Sequence, residues 1–120
     1  ETTLEYLRRL RASSPLAFRS LLYLEQPTER DLAHRRLSMR QVARVKPVLA
    51  DEGLTDLESL DLAVQLGWSG VALKTCKAHS SALLFLARLE QSGYPYSVQD
   101  LTVPAWRWYT RRRWRLAQDP

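Results

Sequence analysis

Four charged side chains close four short apolar runs at nearly equal spacing. Glu25 follows LLYL, Asp51 follows PVLA, Lys74 follows GVAL and Asp100 follows YSVQ, at intervals of 26, 23 and 26 residues. If the runs are neighbouring parallel strands, they lie ~4.8 Å apart and their ends share one rim. Carboxylates at Glu25 and Asp51 then fall close enough to share a hard divalent cation such as Mg²⁺, which takes few carboxylates and prefers oxygen. Without a cation they repel, and one carboxyl is pushed toward its neutral form. Lys74 ends an apolar strand, where a buried stem needs its ammonium satisfied. Beside a metal ion its proton affinity falls toward neutrality, which suits a general base or acid. The pattern looks like a metal site next to a proton-transfer group.

Each residue also has a structural alternative. Glu25 could pair with Arg19 or Arg30. Lys74 could be a salt-bridge partner of Asp51 or Asp100, because paired buried charges are usually structural. Glu52 is expected to point away from Asp51, as a loop salt bridge, or as a group that supports the metal ligands or binds substrate. Lys77 lies just past the third strand and is a candidate for the same supporting role. Asp100 either orients Lys74, holds a substrate group or caps the next helix. His79 has no second His or Cys at ligand spacing and reads as a helix-start residue. Cys76 is the only cysteine, which excludes an intrachain disulfide within these residues and fits the cytoplasm.

Alternating elements must position these groups. Leu4, Leu7 and Leu10 mark one face of a helix over residues 2–11, broken by Ser13, Ser14 and Pro15. Leu21 to Leu24 reads as a fully buried strand ended by Pro27. A helix is expected from Thr28 to about Arg44, with Glu29 and Asp31 in its first turn. Pro47 opens the second strand. Thr55 and Glu58 offer a capping box for a helix carrying Leu57, Leu60, Leu62, Ala63 and Leu66, stopped by Gly67. Gly70 to Leu73 is the third strand. His79 and Ser80 open a helix that Gly93 closes, and Pro95 to Gln99 is the fourth strand. The order α-β-α-β-α-β-α-β implies parallel βαβ units, an α/β fold. Unit lengths suit a (β/α)8 barrel at ~31 residues per unit. The doubly wound alternative calls for a glycine-rich phosphate loop, which the four Gly do not form.

The 120 residues make at most one domain. A hydrophobic fraction of 45% suits a packed core. No apolar run nears the ~20 residues that cross a bilayer, and ETTLEYLRRL is not a signal peptide. Glu1 in place of Met suggests a processed or excised chain. The net charge of +5 is a tail property: residues 1–104 carry 13 Lys/Arg and 12 Asp/Glu, whereas residues 105–120 carry five Arg and one Asp. The body therefore gives no argument for nucleic-acid binding. The tail interleaves three Trp with those Arg. Such a segment could hold phosphate backbones or an anionic membrane surface, although as a helix it has no clean amphipathic face.

The sequence resembles a known family at the residues singled out above. Glu25-Gln26-Pro27, Asp51-Glu52 after PVLA, and Ala72-Leu73-Lys74-Thr75-Cys76-Lys77 after Gly70-Val71 look like consecutive barrel strands of the enolase superfamily. The closest branch is the mandelate racemase/muconate lactonizing enzyme group, and the likeness covers roughly residues 1–104. It implies a partial (β/α)8 TIM barrel of about four βα units, with residues 105–120 as an appended tail. It implies a Mg²⁺ site in which Glu25 matches the second carboxylate ligand and Asp51 the third, while Lys74 matches the acid/base lysine. The implied reaction removes the proton α to the carboxylate of a small substrate; racemisation, cycloisomerisation or dehydration follows. The family's first metal ligand lies on a strand before Glu25, and its capping domain has no counterpart here. The resemblance therefore implies a fragment, inactive alone, or one that is completed by a second copy or a missing barrel half.

Overall fold

The computed structural model describes residues 2–74 and 79–99. Lys77, Asp100, Cys76 and the Arg/Trp tail lie outside the described residues.

The chain begins with helix α1 (Thr3–Ser13), whose Thr2 and Glu5 form a reciprocal capping box. Ser14 ends α1 and starts α2 (Pro15–Ser20), with proline at the first helical position, where its missing N–H costs nothing. Strand β1 is short, Leu24–Glu25. The expectation of a buried strand over Leu21 to Leu24 is corrected: Leu22 is 74% exposed and the ladder starts at Leu24.

The helix expected from Thr28 to Arg44 is two short ones, α3 (Leu32–Arg35) and α4 (Arg40–Ala43). Asp31 caps α3 by accepting from the Ala33 and His34 amides, and Arg36 ends it in the left-handed region. The break lets the start of α4 dock on the end of a later helix. There the Met39 N–H donates to the Leu66 carbonyl at 2.8 Å and the Arg40 guanidinium to the Gln65 carbonyl at 2.9 Å. Those carbonyls are among the last-turn acceptors that a helix leaves open.

Strand β2 (Val48–Ala50) follows, then α5 (Leu57–Leu66) with Gly67 as its left-handed cap. The capping box of α5 is Asp56 with Ser59, one residue beyond the expected Thr55 and Glu58. Strand β3 (Gly70–Lys74), helix α6 (His79–Ser92) and strand β4 (Tyr96–Gln99) complete the described fold.

The sheet order is β1-β2-β3-β4, every pair parallel. Strands that add in chain order without reversal are the sequence of a (β/α) barrel; a doubly wound sheet switches direction at an internal strand. Register and alternation sort the side chains into two faces. Val48, Ala50, Val71 and Leu73 join Leu7, Leu32, Val42, Leu60, Phe85 and Leu89 in the helix-covered core. Glu25, Leu49 and Gly70 are register partners on the opposite face, joined two residues on by Asp51 and Ala72 and four residues on by Lys74. Among the described residues no helix is long and apolar enough to cross a membrane.

Candidate functional site

Glu25, Asp51 and Lys74 close β1, β2 and β3 on the core-free face, so the fold brings the three together. Asp51 is buried, 1% exposed, and accepts a short hydrogen bond from the Lys74 ammonium. Lys74 Nζ is also 3.6 Å from Glu25 Oε1 and 3.8 Å from Glu52 Oε1. The placement of Glu52 corrects the expectation that it points away: its carboxylate faces the same ammonium. Glu25 pairs with Lys74 and Gln99, whereas the structural alternative offered Arg19 or Arg30.

The ammonium is held strongly. Its hydrogen bond to Asp51 raises the Lys74 pKa above the ordinary lysine value. Burial opposes this, and the charges of Asp51, Glu25 and Glu52 add to the rise. The sequence reading expected a neighbouring metal charge to lower it. The carboxylates act in the opposite direction, because negative neighbours favour the charged lysine.

Two neutral side chains complete the arrangement; Gln26 belongs to the Glu25-Gln26-Pro27 run noted in the sequence, but neither residue is given a role there. Gln99, the last residue of β4, donates from Nε2 to Glu25 Oε2 at 2.8 Å and, at 3.4 Å, to the Tyr23 hydroxyl. Gln26 follows Glu25 with a backbone φ of 39°, and its carboxamide accepts from the backbone amides of Asp51 and Gly53. The available signal was position: Gln26 and Gln99 each flank a charged strand end.

A shallow cleft opens beside Lys74 toward the start of α6, lined by Asp51, Leu54, Ala72, Leu73, Lys74, Ser81, Ala82 and Phe85. It sets the Lys74–Asp51 pair against a largely apolar wall of Leu54, Ala72, Leu73, Ala82 and Phe85, with the Ser81 hydroxyl at its side. A separate recess between α3 and Trp68 contains none of the site residues.

The donor set fits a divalent cation in kind. Glu25 and Asp51 present hard oxygen donors that already converge on one cationic nitrogen, and Mg²⁺ is commonly held by one or two carboxylates plus water. Among the described residues no group of three or more Asp, Glu, His or Cys side chains is arranged around a common metal position. The convergence point is occupied by Lys74.

No protein-family model matches the sequence, and no curated protein matches it. One solved structure is similar: a dipeptide epimerase from Cytophaga hutchinsonii, complexed with Mg and the dipeptide D-Ala-L-Val. It superposes with a TM-score of 0.57 at 21% identity, over 78% of this chain and 24% of that one. At that identity the likeness shows the fold, and this chain spans about a quarter of the epimerase's length. The fold is α/β, a parallel four-stranded sheet with alternating helices consistent with part of a TIM barrel, and the resemblance drawn from the sequence is met at that level.

Proposed function

We propose that this chain is part of a Mg²⁺-dependent enzyme of the enolase superfamily that removes the proton α to a substrate carboxylate. The observation that carries the reading is the convergence of Glu25 and Asp51, from adjacent strand ends, on Lys74 beside a small cleft. The similar epimerase, complexed with Mg and a dipeptide, supports it by fold. Outcomes open to such an enzyme are epimerisation or racemisation, cycloisomerisation and dehydration.

Glu25 and Asp51 would hold the cation, and Mg²⁺ when bound supplies positive charge that stabilises the negative charge developing on the substrate carboxylate. Lys74 handles the proton at Nζ. While Asp51, Glu25 and Glu52 face it, Lys74 keeps its proton and serves as the acid. When Glu25 and Asp51 are otherwise engaged, Lys74 loses the neighbours that hold that proton and can take one from carbon. Gln99 keeps Glu25 turned toward the concave face. Lys77 and Asp100, outside the described residues, are proposed to support the substrate end, with Glu52. These residues supply two of the family's three carboxylate ligands, so by themselves they are proposed to bind Mg²⁺ weakly and not to turn over. A second copy or a further barrel segment would complete the sheet.

Thermal unfolding with and without Mg²⁺ tests this reading. Saturation at 100 times the Kd adds about 2.7 kcal/mol of stability, and Glu25→Gln and Asp51→Asn should each abolish the shift. Because two of three carboxylates bind weakly, Mg²⁺ is raised until the shift levels off; a parent protein whose unfolding responds to Mg²⁺ no more than to Na⁺ at the same ionic strength would sink the proposal.

A further inference from the structure

Gln26 uses its whole hydrogen-bonding capacity to join two loops. Its Oε1 accepts from the Asp51 amide at 2.8 Å and the Gly53 amide at 3.2 Å. Its Nε2 donates to Thr28 Oγ1 at 3.2 Å and to the Glu29 carbonyl at 3.1 Å. A primary amide has two donors and two acceptor lone pairs, and here all four are engaged. The backbone is held as well: the Gln26 N–H donates to the Leu49 carbonyl at 2.9 Å, extending the β1–β2 ladder by one step.

This fixation is obtained against a local preference. Gln26 has φ 39°, a left-handed conformation that costs a residue with a Cβ roughly 1–2 kcal/mol. Strain of this kind persists only where the surroundings over-determine it, and it collects at functional sites. The same junction is tight at Gly53, where a Cβ would come within 2.8 Å of Leu32 Cγ and 2.9 Å of the Arg30 carbonyl oxygen. The loop after β2 can approach the loop after β1 this closely because residue 53 has no side chain.

We propose that Gln26 is a positioning residue for the cation site: it fixes the spacing between the Glu25 and Asp51 carboxylates by clamping one strand end to the other. This rests on the metal reading above. Gln26 touches no reacting group. It follows one proposed ligand directly in sequence and binds the backbone amide of the other, so any slip of the clamp moves Asp51 relative to Glu25. Groups that orient metal ligands from behind typically change metal affinity by about 10–100-fold when altered.

The test is Mn²⁺ binding to the full chain, followed by calorimetry or by the Mn²⁺ spin signal, alongside amide hydrogen exchange and thermal unfolding. Gln26→Asn is the informative variant, because Asn tolerates the left-handed region better than Gln but is one methylene too short to reach Asp51 and Gly53. It should keep the unfolding temperature, speed exchange of the Asp51 and Gly53 amides, and weaken Mn²⁺ binding by about tenfold or more. Unchanged Mn²⁺ affinity in Gln26→Asn, or weakened affinity without faster exchange of the Asp51 and Gly53 amides, would overturn the positioning role while leaving the metal reading intact. Failure of the parent itself to bind Mn²⁺ would overturn both.

Discussion

Gln99 donates to the Glu25 carboxylate at 2.8 Å although the two residues sit on the last and first strands of the sheet. Three strand-to-strand steps separate them, ~14 Å across a flat sheet, and by register Gln99 lies four residues further along its strand than the level of Glu25. Their side chains meet because the sheet curls toward its core-free face, as a barrel wall does. Gln99→Ala should therefore cost about 1 kcal/mol, the ordinary net worth of such a bond. A double-mutant cycle with Glu25→Gln in urea unfolding isolates the pair: the two changes should be less than additive. Full additivity would mean that the contact across the sheet contributes nothing.

Lys74 and Asp51 form the most buried ion pair among the described residues, with side-chain exposures of 12% and 1%. Taking away one member strands the other's charge in a site of low polarity, a loss of about 3–5 kcal/mol. Lys74→Met should accordingly be much more destabilising than Arg88→Met, whose partner Asp61 lies on the surface. The double change Asp51→Leu with Lys74→Met should regain much of that loss, because no buried charge remains. Equal unfolding midpoints for Lys74→Met and Arg88→Met would show that the pair carries little energy.

The strand ends were legible because a charge after an apolar run is a local pattern, readable at Glu25, Asp51 and Lys74 without knowing what lies opposite. Gly67 and Gly93 were legible as helix stops for the same reason, and both have positive φ. Gln26 and Gln99 were not. Their partners lie 25 and 74 residues away, and a neutral amide gives no local sign of which distant group it will meet. The same distance effect hid the break between α3 and α4. Residues 28–44 carry a helical pattern, but the carbonyls at Gln65 and Leu66 draw Met39 and Arg40 into a new helix start. Glu52 was misjudged because strict alternation was extended past the end of β2 into the turn, where it no longer applies.

Two glycines with similar backbones should respond differently to alanine. Gly67 (φ 82°) and Gly93 (φ 64°) both bear the left-handed penalty, ~1–2 kcal/mol for any residue with a Cβ. At Gly93 a Cβ would meet nothing within 4 Å, so that penalty is the whole cost. At Gly67 it would lie 2.4 Å from Arg40 Cγ, the stem of the side chain that caps the end of α5. Gly67→Ala should lower the melting temperature further than Gly93→Ala, each 1 kcal/mol being worth roughly 4–8 °C in a small domain. Matching shifts would mean that Arg40 moves aside freely.

Alkaline pH should report on Tyr94. Its phenol donates to the Trp68 carbonyl, tying the start of β4 to the turn just past the Gly67 cap of α5, and burial pushes its pKa up from 10.0 to about 12. A raised acid holds its proton longer in the folded protein than in the unfolded chain. Between those two values the folded state binds more protons, so stability must fall as pH rises. The contribution of Tyr94 is complete below pH 10.0 and is lost as pH climbs toward about 12. Tyrosinate absorbance on stepwise addition of base should show one phenol ionising late in the folded protein. Tyr94→Phe should remove that late step and flatten the decline of stability over the same window. A late step that survives in Tyr94→Phe would assign it to another tyrosine and separate the β4 tie from the alkaline transition.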